Sequence, residues 1–394
     1  VASVYPWKIE VRNSALERVG QVDDYQNLDL ALKFNDISTW SLTIDRRHRL
    51  AQELLTPGAG IIVSRNGTTI LSGQYTNQRH SSRVDDNSVT ITGSDDTILL
   101  KQREGHPQPG TQPPGPYSTT AEHVAGPSAA SSVLCLYVVW NLNVGAPVVA
   151  RRQVAGYTDA PYGAQVTGRA RWQPLLKLFQ ELADQGAVNG IPVGFRVVQT
   201  AAGLWFETYR PVDRTATVMF SRGLQNMESF TYERTAPEVN YVYVGGPGDG
   251  AARTIYEKGD ATSIALWGRR EGFVDATSAA TTAEQDAAAT KELTDKRERN
   301  SFAVTPLDTP TMAYGVHYGL GDRVSVVLDV VGPNGTGQTG DVLTEIVRAC
   351  QIKITPDETS ITPTVGTDGL AGAPVRMFQR IKQLAARVVD IERR

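Results

Sequence analysis

The chain has 394 residues, 40% apolar and 21% charged, with 36 glycines and 21 prolines; that composition folds, is rich in turns and excludes wholesale disorder. At roughly 150 residues per domain it should hold two or three domains. Its 39 Lys and Arg face 42 Asp and Glu, a net charge of -3, so no global positive field is available for nucleic acid phosphates and dedicated DNA or RNA binding is disfavoured.

From the N-terminus, VASVYPWKIEV lacks the basic and then apolar regions of a secretion signal, so folding in a cytoplasm is expected. Trp7, Ile9 and Val11 alternate with Lys8, Glu10 and Arg12; Leu28, Leu30, Leu32 and Phe34 share one face, as do Trp40, Leu42 and Ile44. This period of two predicts half-buried antiparallel strands. Residues 61–65 and 68–72 flank Asn66-Gly67, the pair suited to the positive φ angles of a type I′ hairpin, and residues 89–92 close the region. Five prolines and three glycines then fall in the thirteen residues 105–117, an exposed connector or loop.

Residues 129–143 predict a buried helix, although their β-branched content leaves a strand open. They contain the longest apolar run, the eight residues 133–140, well short of the ~20 that span a bilayer, so no membrane insertion is expected. Trp172, Leu175, Leu176, Phe179, Leu182 and Ala183 follow the 3.6-residue repeat of a helix, with Gly186 as its C-terminal stop. Strands at 195–200 and 204–209 complete a small α/β layer. From Thr217 strands dominate again, broken by a polar, Ala-rich helix at 282–299 whose thin apolar face suits the surface or a bridge between domains. The last β region echoes the first: Gly-x-Gly opens a strand at 58–60 and at 319–321, Asn-Gly turns follow, and the paths end in VTITG and ITPTVG. Either a duplicated module or generic hairpins give that look.

Catalytic chemistry finds little support. GTGQTG at 335–340 matches the dinucleotide pattern, but VLTEIVRACQIKIT follows it, with an alternating second half where a nucleotide site needs a helix, and the lysine of a phosphate loop is missing. GGPGDG at 245–250 is likewise expected to be a hairpin turn. His48, His80, His106, His123 and His317 form no zinc spacing, and Cys135 and Cys350 are expected to be buried apolar residues. Asp95 and Asp96, adjacent in an extended segment, should point to opposite faces and serve a turn or a cap; Glu271 should pair with nearby arginines. No nucleophile elbow is present. The expectation is a protein without catalytic residues, cofactor or metal.

The C-terminal residues carry the one constellation above background. Met377, Ile381, Leu384, Val388 and Ile391 are spaced 4, 3, 4 and 3, a heptad seam with Ile381 and Val388 at a, Leu384 and Ile391 at d, and Arg387 and Glu392 at g and e. An ordinary amphipathic helix on its own domain would look similar. The Gly/Pro/Thr-rich stretch before it, and six Arg or Lys against two acids, favour a self-associating helix and an oligomer interface at these seven residues.

Several segments, in order, resemble the minor tail or baseplate hub proteins of long-tailed phages infecting actinobacteria. They are FNDISTWSLTI at 34–44, the G-x-I-V-x-R-x-G hairpin at 60–67, TITGSDDTILLKQR at 90–103, PVDRTATVMFS at 211–221, APEVNYVYVGGPGDGAAR at 236–253, ALWGRREGFVDA at 265–276 and GLGDRVSV at 319–326. The resemblance implies two barrel-like antiparallel β domains with a small α/β domain between them; the Pro-rich insertion and the C-terminal helix do not match the family, and with them the chain is expected to be α+β, mainly β. In this sequence they fall at 1–104 (N-terminal barrel-like domain), 105–117 (Pro/Gly-rich loop), 118–215 (α/β), 216–365 (second β domain with the helix 282–299) and 366–394 (linker and oligomerisation helix).

It also implies a homotrimer that caps the distal end of the tail tube in the virion and is assembled in the host cytoplasm. Expected partners are the distal tail protein, other tail-tip proteins, the tape measure protein and DNA in transit. Three chains with two similar barrels each would present six surfaces to a six-fold ring. The alternatives are a receptor or cell-wall glycan binder, whose groove Trp140, Trp205 or Trp267 would line, and a tail-associated peptidase or glycan hydrolase.

Overall fold

The computed structural model describes residues 6–81, 87–109, 122–146, 151–248, 250–277, 279, 281–307, 309, 311–328 and 341–366. The described residues gather into two compact units, one drawn from residues 1–230 with 303–365, the other from residues 231–302 with 366–394.

In the first unit the period-two segments become strands β1 (Trp7–Arg12), β2 (Arg18–Gln21), β3 (Asn27–Lys33) and β4 (Thr39–Asp45); then, after a short helix α1 (Ala51–Leu54), come β5 (Gly60–Arg65), β6 (Thr68–His80) and β7 (Ser88–Ser94). Leu28, Leu30, Trp40, Leu42 and Ile44 all turn inward and are buried, which is what alternation on a one-sided sheet requires. The β5–β6 turn has φ of 48° at Asn66 and 76° at Gly67, both left-handed, as a type I′ turn demands. Strand β6 is long because it serves two neighbours: Thr68 to Gln74 pair with β5, Tyr75 to His80 with β7. At this handover a Cβ on Gly73 would lie 2.0 Å from the Ser94 carbonyl oxygen, so only glycine lets the backbones pass.

Helix α2 (Ile98–Lys101) leads to the α/β layer of β8 (His123–Ala129), α3 (Ala130–Leu142), β9 (Gly156–Thr158), β10 (Gln165–Ala170), α4 (Leu175–Gln185), β11 (Gly194–Thr200) and β12 (Gly203–Tyr209). Residues 130–142 are helical. Buried side chains such as Ser131, Leu134, Tyr137, Val138 and Asn141 lie on several sides of α3, and a helix enclosed that way shows no amphipathic repeat to read. The face of α4 is the predicted one, and Phe179 meets Phe195 and Phe206 edge-on at 5.8 and 5.6 Å.

One reading of this helix needs correction. Trp172 precedes the helix with a φ of 57°, is 46% exposed and lies edge-on to His106 at 4.7 Å. Gly186 does cap the helix, but with φ of -82° and no left-handed turn; its missing side chain makes room for Ala130, whose Cβ a Cβ there would meet at 2.2 Å.

Strands β13 (Met219–Phe220) and β14 (Met227–Thr235) carry the chain toward the second unit. There β15 (Tyr241–Gly245) and β16 (Ile255–Gly259) form the hairpin expected around GGPGDG, and after α5 (Ala261–Trp267) strand β17 (Glu271–Asp275) returns parallel to β15. Helix α6 (Thr282–Asp295) stops short of the predicted 299, where a strand begins. It starts in a capping box between Thr281 and Glu284, and its thin face is sufficient: Ala289 is fully buried against Val242 and Val244.

Strand β18 (Arg299–Pro306) brings the chain back, followed by β19 (Arg323–Leu328), β20 (Asp341–Ile354) and β21 (Thr359–Gly366). Like β6, β20 changes partner part-way: Asp341 to Ile346 pair with β19, and beyond a bulge near Val347 the strand lies between β21 and β3. Ile354, Ile352 and Cys350 face Leu28, Leu30 and Leu32 across that last pairing. The first and last β regions therefore share one sheet, in the order β21-β20-β3-β4-β7-β6-β5-β1-β2. The mainly β architecture is as expected, and the sheets are open, not closed on themselves.

Candidate functional site

Met377, Ile381, Leu384, Arg387, Val388, Ile391 and Glu392 lie outside the described residues, as does GTGQTG; strand β20 follows those glycines. Among the described residues no group of three or more His, Cys, Asp or Glu is placed to hold a metal. Cys135 and Cys350 are buried thiols outside any disulfide, and burial pushes the Cys135 thiol up to about 12, which suppresses the thiolate. Trp205 and Trp267 donate to Thr158 Oγ1 (2.9 Å) and Glu298 Oε2 (2.6 Å), and Trp140 packs edge-on against His123 at 5.9 Å.

Asp95 and Asp96 are more than a turn. Their backbone carbonyls do accept from Ile98 and Leu99 at the start of α2, but both side chains are buried. Asp96 takes both terminal nitrogens of Arg12, at 2.6 and 2.8 Å, and the Ser72 hydroxyl at 2.6 Å. Arg12 also donates to Gln199 Oε1 at 2.8 Å, and the Gln199 backbone N–H donates to Ser72 Oγ at 2.8 Å. One buried network thus ties β1, β6 and the segment after β7 to β11. A buried bidentate guanidinium–carboxylate pair braced by two further side chains acts as a structural clamp, although Arg12 Nε itself has no hydrogen-bond partner. Asp95, pointing away as adjacent extended residues do, is held differently. Ser38 and Thr97 donate to its carboxylate, its Oδ1 has no partner, and desolvation foremost, with the charge of Asp96 adding, pushes it up to about 7.

The feature that sequence reasoning passed over is the outer face of the second unit's sheet. Alternation in YVYV turns Val242 and Val244 toward α6 and leaves Tyr241 and Tyr243 on the other side, beside Ile255 and Glu257 of β16 and Glu271, Phe273 and Asp275 of β17. Two arginines lie flat over it. Arg269 sits 3.6 Å above the Tyr241 ring and pairs with Glu271 at 2.7 Å, the ion pair expected of that residue; Arg253 sits 5.4 Å from the Phe273 ring and pairs with Asp275 at 2.5 Å. Ile255 and Phe273 stay 51% and 57% exposed. Aromatic rings, arginines and exposed apolar side chains together are the composition of a protein contact surface.

Residues 8–367 match the family described as Siphovirus ReqiPepy6 Gp37-like protein. No curated protein matches the chain. Among solved structures, a tail protein from Neisseria meningitidis MC58 is 14% identical with a TM-score of 0.56, over 92% of this chain and 97% of that one. The 43 kDa tail protein of prophage MuSo2 from Shewanella oneidensis is 12% identical with a TM-score of 0.56, over 91% and 97%. Prophage tail protein gp18 from Listeria monocytogenes EGD-e is 11% identical with a TM-score of 0.50, over 96% and 99%. At such identities the likeness is one of fold.

Proposed function

The chain belongs to the Siphovirus ReqiPepy6 Gp37-like protein family, and from that premise we propose that it is a structural protein of a siphophage virion, the hub of the tail tip. As a homotrimer it caps the distal end of the tail tube, joins it to tip or receptor-binding components and leaves a passage for DNA. The observation that carries this reading is a fold shared with three tail proteins, two of them from prophages, over nearly the whole of each chain. A net charge of -3 suits a wall past which DNA moves without sticking. The arginine and aromatic face of the β16-β15-β17 sheet offers one contact for a neighbouring tail protein.

In the same reading the seam Met377, Ile381, Leu384, Val388 and Ile391 assists trimerisation, with Arg387 and Glu392 pairing between helices. Burying large apolar side chains is worth roughly 1.5–3 kcal/mol each, yet so short a coil bears a nucleation cost, so the folded body starts the assembly. Cryo-electron microscopy of intact virions with the chain labelled should put three copies at the distal end of the tail tube. Label on a peripheral fibre, or release of soluble fragments from host cell wall by the pure chain beyond a boiled control, would overturn the hub reading in favour of a receptor binder or a wall hydrolase.

A further inference from the structure

A cavity of about 330 Å³ opens within the first unit, between β3 and β6 on one side and β11, the end of β12 and residues 314–322 on the other. That volume is at the lower end of small-molecule sites, which run roughly 300–1,000 Å³. Its wall is mixed: Phe195, Val197, Tyr209, Tyr314 and Tyr318 supply an apolar part, and hydroxyl and charged side chains the rest. Burial pushes Tyr209 up to about 12 and raises Tyr314 well above the ordinary tyrosine value, so both phenols stay neutral and bring no charge.

The charges that line it nearly cancel in pairs. Lys33 faces Asp36 at 3.9 Å, Arg196 pairs with Glu207 at 2.8 Å, and Arg214 pairs with Asp322 at 2.7 Å. Asp96, beside the cavity, belongs to Arg12. Asp95 is left over. It lines the cavity, is only 9% exposed, and its Oδ1 has no hydrogen-bond donor. A buried carboxylate oxygen without a donor is costly, and what satisfies it is an N–H group carrying positive charge. A lone carboxylate is a poor seat for calcium or magnesium, which need six or more oxygens, whereas an ammonium gains from the tyrosine faces as well.

We propose that this cavity binds a primary alkylammonium group, whose N–H donors meet the Asp95 carboxylate while its carbon chain lies along the apolar part of the wall. The chemistry is common to a free alkylamine and to a lysine side chain presented by another protein, and the site reads the ammonium and the methylenes in either case.

The test is calorimetric titration of the full chain at pH 8 with n-butylammonium, Nα-acetyl-lysinamide and tetramethylammonium, the last having no N–H to donate. One saturable site is expected for either primary amine, with tetramethylammonium at least tenfold weaker; the tighter of the two amines identifies the source. Lowering the pH from 8 to 6 should weaken binding about tenfold, because a protonated Asp95 no longer attracts the cation. Asp95→Asn, matched in shape, should lose binding more than tenfold while unfolding at the same temperature as wild type near pH 5. The wild-type pH series stands as evidence even if that variant does not fold. No saturable binding of either amine, equal binding of tetramethylammonium, or binding unchanged by both pH and Asp95→Asn would overturn the proposal.

Discussion

Two arginine–carboxylate pairs, one in each unit, have almost the same closest approach and opposite surroundings. Arg12 and Asp96 approach to 2.6 Å with their side chains 2% and 5% exposed; Arg253 and Asp275 approach to 2.5 Å with theirs 25% and 65% exposed. Contact distance does not decide what each does. In the first unit, water is excluded and every polar atom added by Ser72 and Gln199 replaces a lost hydration partner, so the network is all or nothing. In the second, water can take over from either partner, and the arginine gains as much from lying on Phe273 as from its carboxylate. The first pair fixes one arrangement of strands, and the second leaves a surface ready to exchange partners.

The contrast is broken most directly at Arg12. Arg12→Ala leaves Asp96 charged and buried, and denaturant unfolding should lose about 3–5 kcal/mol for the first unit; replacing both residues by Met and Leu should recover most of it. A loss below about 1 kcal/mol would mean that water reaches the network and that the two pairs are alike. Asp95 sharpens the same point with a single charge. Its folded-state value, raised to about 7, lies above the ordinary carboxyl value it regains on unfolding, so the folded chain binds the extra proton between about pH 4 and pH 7. Stability is therefore full at the acid end and falls as pH rises through that window, by about 2–4 kcal/mol at some 1.4 kcal/mol per unit. In Asp95→Asn this slope should vanish, leaving the variant more stable than wild type at pH 8 and similar to it near pH 5. The smallest effect belongs to Arg253→Ala, whose unfolding should change by no more than ~1 kcal/mol and respond to salt. A larger, salt-independent loss would show that the outer face is a built part of the second unit's fold.

How far the sequence discloses these regions depends on how local their causes are. The alternation at Leu28, Leu30 and Leu32, the Asn66-Gly67 turn and the face of α4 are legible because side chains a few residues apart determine them. The clamp is not, since Arg12 is 84 residues from Asp96 and 187 from Gln199, and Asp95-Asp96 looks like any polar turn until those partners arrive. Trp172 fits the helical spacing by coincidence, because periodicity cannot register the left-handed backbone at Trp172, after which the helix begins. The outer face of the second unit did leave a signal: YVYV alternates aromatic with aliphatic, so whichever side takes the valines inward must leave the tyrosines out. What it could not disclose is that Arg253 and Arg269 come to lie on the rings.

The pairing of β3 with β20 sets a timetable for making the protein. Strand β3 finds β4 within a dozen residues, but its other edge is completed only by Ala349 to Ile354, roughly 300 residues further on. At the ribosome's ~5–20 residues per second, that edge waits on the order of 15–60 s, its backbone donors and acceptors unpaired beside buried leucines. An unpaired edge next to apolar side chains is a template for pairing with other chains. In a cell making many copies at once, the nascent chains are thus most exposed to one another just before β20 is complete, and the yield of folded protein should depend on how crowded they are during that interval.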